Sequence, residues 1–324
     1  MTDVKAALPS LVLPQDPQAG IPGRRDRPRA REIYWRALLH DKLALVALVF
    51  LLVLIFATVF AGIVAPHDPE KGGLMLRNKP PMTQAVDGGV PYILGTDALG
   101  RDQLSRLLFG GRISLAAGFA SVIISGTVGI LLGLAAGYYR GALDDIIMRF
   151  VDLQMGFPSL LTALLVLYVF GSGVWKVVLV LAVTRWMIYA RVTRSLVMTY
   201  REHVFVEAAN AIGCSNRRIL FLHILPNLLS PIMVLATLEV GTMILTEASL
   251  SFLGLGIQPP QSSWGLMLAQ GRGYVTTAWW LVTFPGVLIL LTCLSLNLLA
   301  TWVRAVTDPV TRWRFLAPPK GATE

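Results

Sequence analysis

Glu207 to Pro226 reads EAANAIGCSNRRILFLHILP, a charged stretch with a glycine hinge and a terminal proline, set between apolar runs long enough to cross a bilayer. Upstream of the hinge, Phe205, Ala208, Ala209 and Ile212 recur at i, i+3, i+4 and i+7, the spacing of one apolar helix stripe. Gly213 allows a backbone reversal, because a residue without Cβ takes positive φ at no steric cost. Ser215 is placed to cap a second short helix by accepting a bond from an N–H that otherwise lacks a partner. Pro226 stops that helix or kinks it into the next apolar run. The stretch therefore predicts two short amphipathic helices meeting at a glycine on a membrane surface. Periodicity alone does not separate this from a hairpin that merely joins two spans.

Composition supports the membrane. Of 324 residues, 55% are hydrophobic and 15% charged, and the mean hydropathy is +0.64. The apolar residues come in blocks that reach the roughly 18–20 residues needed to span hydrocarbon. Two cysteines, Cys214 and Cys293, are too few for a disulfide framework. The net charge of +9 would suit a nucleic-acid partner, but the basic residues flank apolar runs and no aromatic-basic face emerges.

Working outward, residues 1–36 are polar, with Arg24, Arg25, Arg27, Arg29 and Arg31 clustered, and bury too little apolar area to order themselves; they read as a flexible tail. The run Leu43 to Ala65 exceeds the apolar core of a secretory signal and reads as an uncleaved first span. Residues 66–112 are rich in turns, with a possible amphipathic helix from Gln103 to Phe109. Further spans are expected at Ile113–Tyr138, Ile146–Phe170 (kinked at Pro158), Val174–Ala190, Leu228–Leu250 and Trp279–Val303. In the second, Ala117, Ser121, Ser125, Gly129, Gly133 and Gly137 form an i+4 stripe of small residues, which predicts close approach of another helix. The expected architecture is all-α with six transmembrane helices and both termini on one side. It divides into a tail (1–36), a first helix with an extracytoplasmic segment (37–112), a five-helix core (113–304) containing the loop 201–227, and a C-terminal tail (305–324).

With the N-terminus inside, cytoplasmic segments hold 19 of the 28 Lys and Arg residues and the opposite side eight. That asymmetry follows the positive-inside tendency and places Glu207–Pro226 in the cytoplasm. No phosphate-cradling G-x-x-x-x-G-K-[ST] loop occurs, and His40, His67, His203 and His223 all lie outside the spans, with no H-E-x-x-H. Neither a nucleotide site nor a metal or other cofactor site is therefore expected on this chain, nor a catalytic centre. Asp152, Glu239 and Glu247 fall within spans, where ionisable groups are costly and count as functional candidates. They leave open an autonomous proton-coupled carrier. For Asp152 a local i, i+3 pair with Arg149 is available; Glu247, near the outer end of its span, is expected to be partly hydrated, and no partner for Glu239 can be named.

Glu207-Ala208-Ala209, then Gly213, then Leu225-Pro226 twelve positions after the glycine resembles the EAA loop of ABC importer permeases. One departure is His223, which stands where the general pattern has isoleucine. Leu94-Gly-Thr-Asp97, Gly100-Arg-Asp102, Arg112-Ile-Ser-Leu115, Phe157-Pro-Ser159, Glu247 to Gly256 (EASLSFLGLG), Gln258-Pro-Pro260 and Ser263-Trp-Gly265 follow in order. From about residue 35 to 310 the chain is similar to the C-type permease subunit of dipeptide/oligopeptide importers in the peptide/nickel branch.

That resemblance implies a type I importer permease fold in a bacterial plasma membrane, with Glu207, Ala208, Ala209, Gly213, Leu225 and Pro226 coupling to an ATPase. It implies a second, homologous permease subunit, two cytoplasmic ATPases that bind ATP and Mg, and an extracytoplasmic solute-binding protein. The implied cargo is di- or oligopeptides, with glutathione or a nickel chelate as alternatives in the same branch.

Overall fold

The computed structural model describes residues 37–85 and 88–307; the tail 1–36 and residues 308–324 lie outside the described residues. Helix α1, Lys42–Val59, begins where the Asp41 carboxylate accepts the Ala44 N–H at 3.1 Å. A short turn, Ala61–Val64, leads into an irregular segment. Helix α2, Gln103–Tyr139, is 37 residues long, about 55 Å at 1.5 Å per residue. Asp102 caps it, accepting the Ser105 N–H at 2.8 Å and the Ser105 hydroxyl at 2.6 Å.

The expected short helix at Gln103 and the second span are thus one continuous helix, and the expected boundary at 112/113 falls inside it. Gly110-Gly111 does not break it. A Cβ on Gly111 would lie 2.5 Å from Thr58 Cγ2 and 3.0 Å from Trp264 Cζ2, so that glycine serves packing.

The expected third span is broken. Helices α3, Gly141–Met155, and α4, Ser159–Phe170, meet at 86° across Gly156, Phe157 and Pro158. A proline ring displaces one helical bond and disfavours helical geometry at the residue before it; with a glycine two positions upstream, a kink becomes a corner. Helix α5, Val174–Arg201, runs past its expected end at Ala190. Helix α6, Val204–Ala211, precedes Gly213. The turn Asn216–Arg218, a π-helical turn Ile219–Ile224 and helix α7, Leu225–Phe252, then follow without interruption. Helices α8, Trp264–Gly271, and α9, Trp280–Thr307, close the described chain.

Among the described residues there is no strand, only two isolated antiparallel bridges. Four helical stretches are long and apolar enough to cross a membrane: α1, α2, Asn216–Phe252 and α9. The bent pair α3–α4 makes up to five. Helix α5 has the length of α9 but carries Lys176, Arg185, Arg191, Arg194 and Arg201.

The α2–α5 contact follows the stripe of small residues. Added Cβ atoms on Gly129, Gly133 and Gly137 would lie 2.3, 2.6 and 2.8 Å from the carbonyl oxygens of Trp186, Ala190 and Arg194. Only glycine lets the two backbones lie this close, and that proximity replaces the hydrophobic drive that lipid does not supply.

Candidate functional site

Helix α6 has two apolar sides. Val206 and Ala209 are buried in a cluster with Leu134, Tyr138, Val197, Ile219, Ile224 and Leu228, which ties the loop to the ends of α2, α5 and α7. Of the expected stripe, only Ala209 turns inward. Phe205 is 40% exposed and Ile212 80%, and Ala208 and Glu207 are also exposed. Both sets satisfy helical spacing, and the neighbouring ends select Val206 with Ala209 for burial. What remains is an outward apolar surface around the Glu207 carboxylate.

Gly213 closes α6. The Cys214 N–H donates to Ala209 O and the Gly213 N–H to Asn210 O, both at 3.0 Å, the paired bonds of a Schellman end. Gly213 sits at φ +77°, and a Cβ there would meet nothing within 4 Å, so conformation alone calls for glycine. Ser215 occupies the N-cap position, but its side chain makes no capping bond. Asn216 does the anchoring, its Oδ1 accepting the Tyr138 hydroxyl at 3.0 Å.

Pro226 does not end the second helix; it sits in the first turn of α7. Its missing N–H follows directly on the π-helical turn, whose wider spacing absorbs the interrupted ladder. His223 belongs to that turn and its carbonyl accepts the Asn227 side-chain amide at 2.7 Å.

Beside the loop, α3 and α5 are joined by charge. Arg194 forks onto Asp144, with Nη2 to Oδ2 at 2.6 Å, and Arg140 pairs with Glu202 at 2.8 Å. The partner of Asp152 is Arg191, not Arg149, and both side chains are about half exposed. Asp152 is therefore an exposed partner of α5.

Glu239 is 8% exposed. Arg185 of α5 approaches it to 3.8 Å, while Glu239 Oε2 and the Tyr189 hydroxyl have no hydrogen-bond partner. Glu247 is fully buried. It accepts the Ser114 hydroxyl at 3.0 Å and the Ser251 hydroxyl at 2.7 Å. Ser114 Oγ also accepts the Trp264 N–H at 3.2 Å. Three of the ordered motifs, around Arg112, Glu247 and Ser263, thus converge on one buried carboxylate.

A second junction was not singled out from the sequence. The buried Asp97 carboxylate accepts the N–H groups of Leu99 and Arg101 at 2.9 and 2.8 Å and binds the guanidinium groups of Arg101 and Arg106. Arg106 in turn donates to Gln270 Oε1 at 2.8 Å. The signal was present in Asp97 and Arg101 within the motif beginning at Leu94; Arg106, outside every motif, carried none. Among the described residues no group of three His, Cys, Asp or Glu could hold a metal.

Comparison with known proteins bears on the family and the fold. The profile of the family described as "Binding-protein-dependent transport system inner membrane component" matches residues 129–312, and that of "N-terminal TM domain of oligopeptide transport permease C" matches 31–81. The di/tripeptide transport system permease protein DppC of Pseudomonas aeruginosa is 42% identical over 277 residues, 85% of this chain and 91% of the relative. The dipeptide permease DppC of Haemophilus influenzae is 38% identical over 85% of the chain and 93% of the relative. The glutathione permease GsiD of Pectobacterium atrosepticum is 39% identical over 94% and 97%. Among solved structures, the inward-facing MetNI methionine ABC transporter matches with TM-score 0.50 at 20% identity, covering 61% of this chain and 95% of that one; it supports the fold. The chain, an all-helical multi-pass inner-membrane protein whose family leaves ATP hydrolysis to other subunits, belongs to the binding-protein-dependent transport system inner membrane components, as a C-type ABC importer permease of the dipeptide/oligopeptide group.

Proposed function

We propose that this chain forms half of a peptide-conducting pathway, with Glu207, Ala208, Ala209, Gly213, Leu225 and Pro226 as its coupling element to an ATPase that binds ATP and Mg. The observation that carries this reading is the surface of α6. Phe205, Ala208 and Ile212 face outward on a helix whose other side is anchored by Val206 and Ala209. An exposed apolar patch on a fixed element marks a docking site for another protein. The remaining subunits are a homologous permease chain, a second ATPase and an extracytoplasmic solute-binding protein. In this reading α5 and the α3–α4 pair also cross the membrane, giving six spans with both termini cytoplasmic.

ATP can drive the cycle only if the ATPases bind one permease conformation better than the other. Helix α6 transmits that difference because Val206 and Ala209 lock it to the ends of α2, α5 and α7. Peptides are the proposed cargo, since di/tripeptide and dipeptide permeases are among the similar proteins. The similar glutathione permease makes glutathione the second candidate, and a nickel chelate is a third.

The test is uptake by the assembled importer in liposomes with ATP inside, using labelled dipeptide, glutathione and nickel chelate in parallel. Dipeptide uptake that needs the ATPases is expected, together with its loss in Gly213→Pro while the subunits still co-purify. Normal uptake by that variant would overturn the coupling role. Accumulation by this chain alone under a proton gradient would favour the autonomous carrier.

A further inference from the structure

Two cavities meet at Arg112. The first, about 520 Å³, is a groove between α1 and α2 lined by Ile55, Val59, Leu115, Ala116 and Phe119. Both helices are long and apolar enough to cross a membrane. The groove continues the exposed apolar stripe of α1 at Leu52, Ile55, Phe56 and Val59, which has helical spacing. The second cavity, about 250 Å³, is lined by Arg101, Arg106 and Arg112, with Phe109, Ser262 and Glu70.

Charge and hydrogen bonding in the second cavity favour an anion. Three arginines line it against one carboxylate, Glu70; Asp97, bonded to Arg101 and Arg106, offsets one of the three charges, and Gln270 takes a further bond from Arg106. Arg112 donates Nε to Thr58 O at 2.7 Å and Nη2 to Val59 O at 2.8 Å. These bonds hold the guanidinium at the C-terminal end of α1, and Nη1 takes no part in them. A planar guanidinium matches a phosphate oxygen pair.

We propose that Arg112 organises a binding site for an anionic phospholipid, with an acyl chain in the groove between α1 and α2 and the phosphate in the arginine-lined cavity. Neither half alone selects such a ligand. A soluble anion would use the cavity and leave the groove empty, and a neutral lipid would use the groove with little gain from the surplus charge. The site is independent of which ABC cargo the chain carries.

Native mass spectrometry of the delipidated full chain, titrated with phosphatidylglycerol or the phosphate-free diacylglycerol of the same acyl composition, tests the assignment. Phosphatidylglycerol should be retained preferentially. Arg112→Gln should lower its retention about fivefold, the equivalent of about 1 kcal/mol for one basic group at an anionic surface, with little effect on diacylglycerol. Because Arg112 also braces α1, Ala116→Phe provides a second arm that fills the groove and keeps the charge; it should lower retention of both lipids. Equal retention of the two lipids by the parent chain, or unchanged phosphatidylglycerol binding in Ala116→Phe, would overturn the site. So would displacement of the lipid by glycerol phosphate without acyl chains.

Discussion

Gly213 and Glu247 are held to their identities by different physics. At Gly213 the surroundings are open and only φ +77° matters. Gly213→Ala should cost about 1–2 kcal/mol, the left-handed penalty for an L-residue, and Gly213→Asn less, because asparagine tolerates that region. If the reversal aims α6 at its ATPase, uptake normalised to complex should fall in the order glycine, asparagine, alanine, proline. Identical uptake across the series would show that the hinge geometry is not used in transport. Glu247 has no freedom of this kind, since Ser114 and Ser251 donate to it in a sealed site. Glu247→Ala should destabilise the chain by roughly 1–3 kcal/mol for each hydroxyl left without its acceptor, seen as earlier thermal unfolding in detergent. Glu247→Gln keeps an acceptor and the volume, so it should retain most of the stability and the uptake. Full stability with abolished uptake in that variant would instead mark Glu247 as a proton carrier.

Among the elements, α2 and α5 depend on backbone proximity, and the glycines of α2 divide into two kinds. A Cβ at Gly133 would be 2.6 Å from Ala190 O, whereas one at Gly126 would be 3.5 Å from Tyr189 Cε1. Gly133→Ala should therefore force the helices apart and reduce the monodisperse fraction in size-exclusion chromatography, while Gly126→Ala should leave it unchanged. Equal behaviour of the two would mean that the helices can shift to absorb a methyl group. This stripe was legible in the sequence because small residues repeated every fourth position over six sites have one ready explanation. The outward face of α6 was not, since Phe205 with Ile212 and Val206 with Ala209 satisfy the same period, and only the ends of α2, α5 and α7 decide between them. The corner between α3 and α4 was half legible. Pro158 announced a disturbance, but the bonds from Asp144 to Arg194 and from Asp152 to Arg191, which lay α3 along α5, join residues 50 and 39 positions apart.

On the scale of the whole molecule, α2 acts as a ruler. The Asp97 junction and the Glu247 cluster gather at its Gln103 end, and the Glu207–Pro226 loop packs on Tyr138 at the other. A helix of 37 residues is about 55 Å long, well beyond the ~30 Å of hydrocarbon. In the proposed arrangement the two assemblies lie on opposite faces of the membrane, with the loop, on the side richer in Lys and Arg, in the cytoplasm. Single cysteines can read this directly. In a chain whose free Cys214 and Cys293 are replaced by serine, Ile212→Cys and Met75→Cys give one probe at each end, at positions 80% and 89% exposed. A membrane-impermeant maleimide should label position 75 in intact spheroplasts and position 212 only in inverted vesicles. The ATPases should protect position 212 from the reagent if α6 is their docking surface. The opposite sidedness would reverse the orientation, and labelling of both positions from one side would mean that α2 does not cross the membrane.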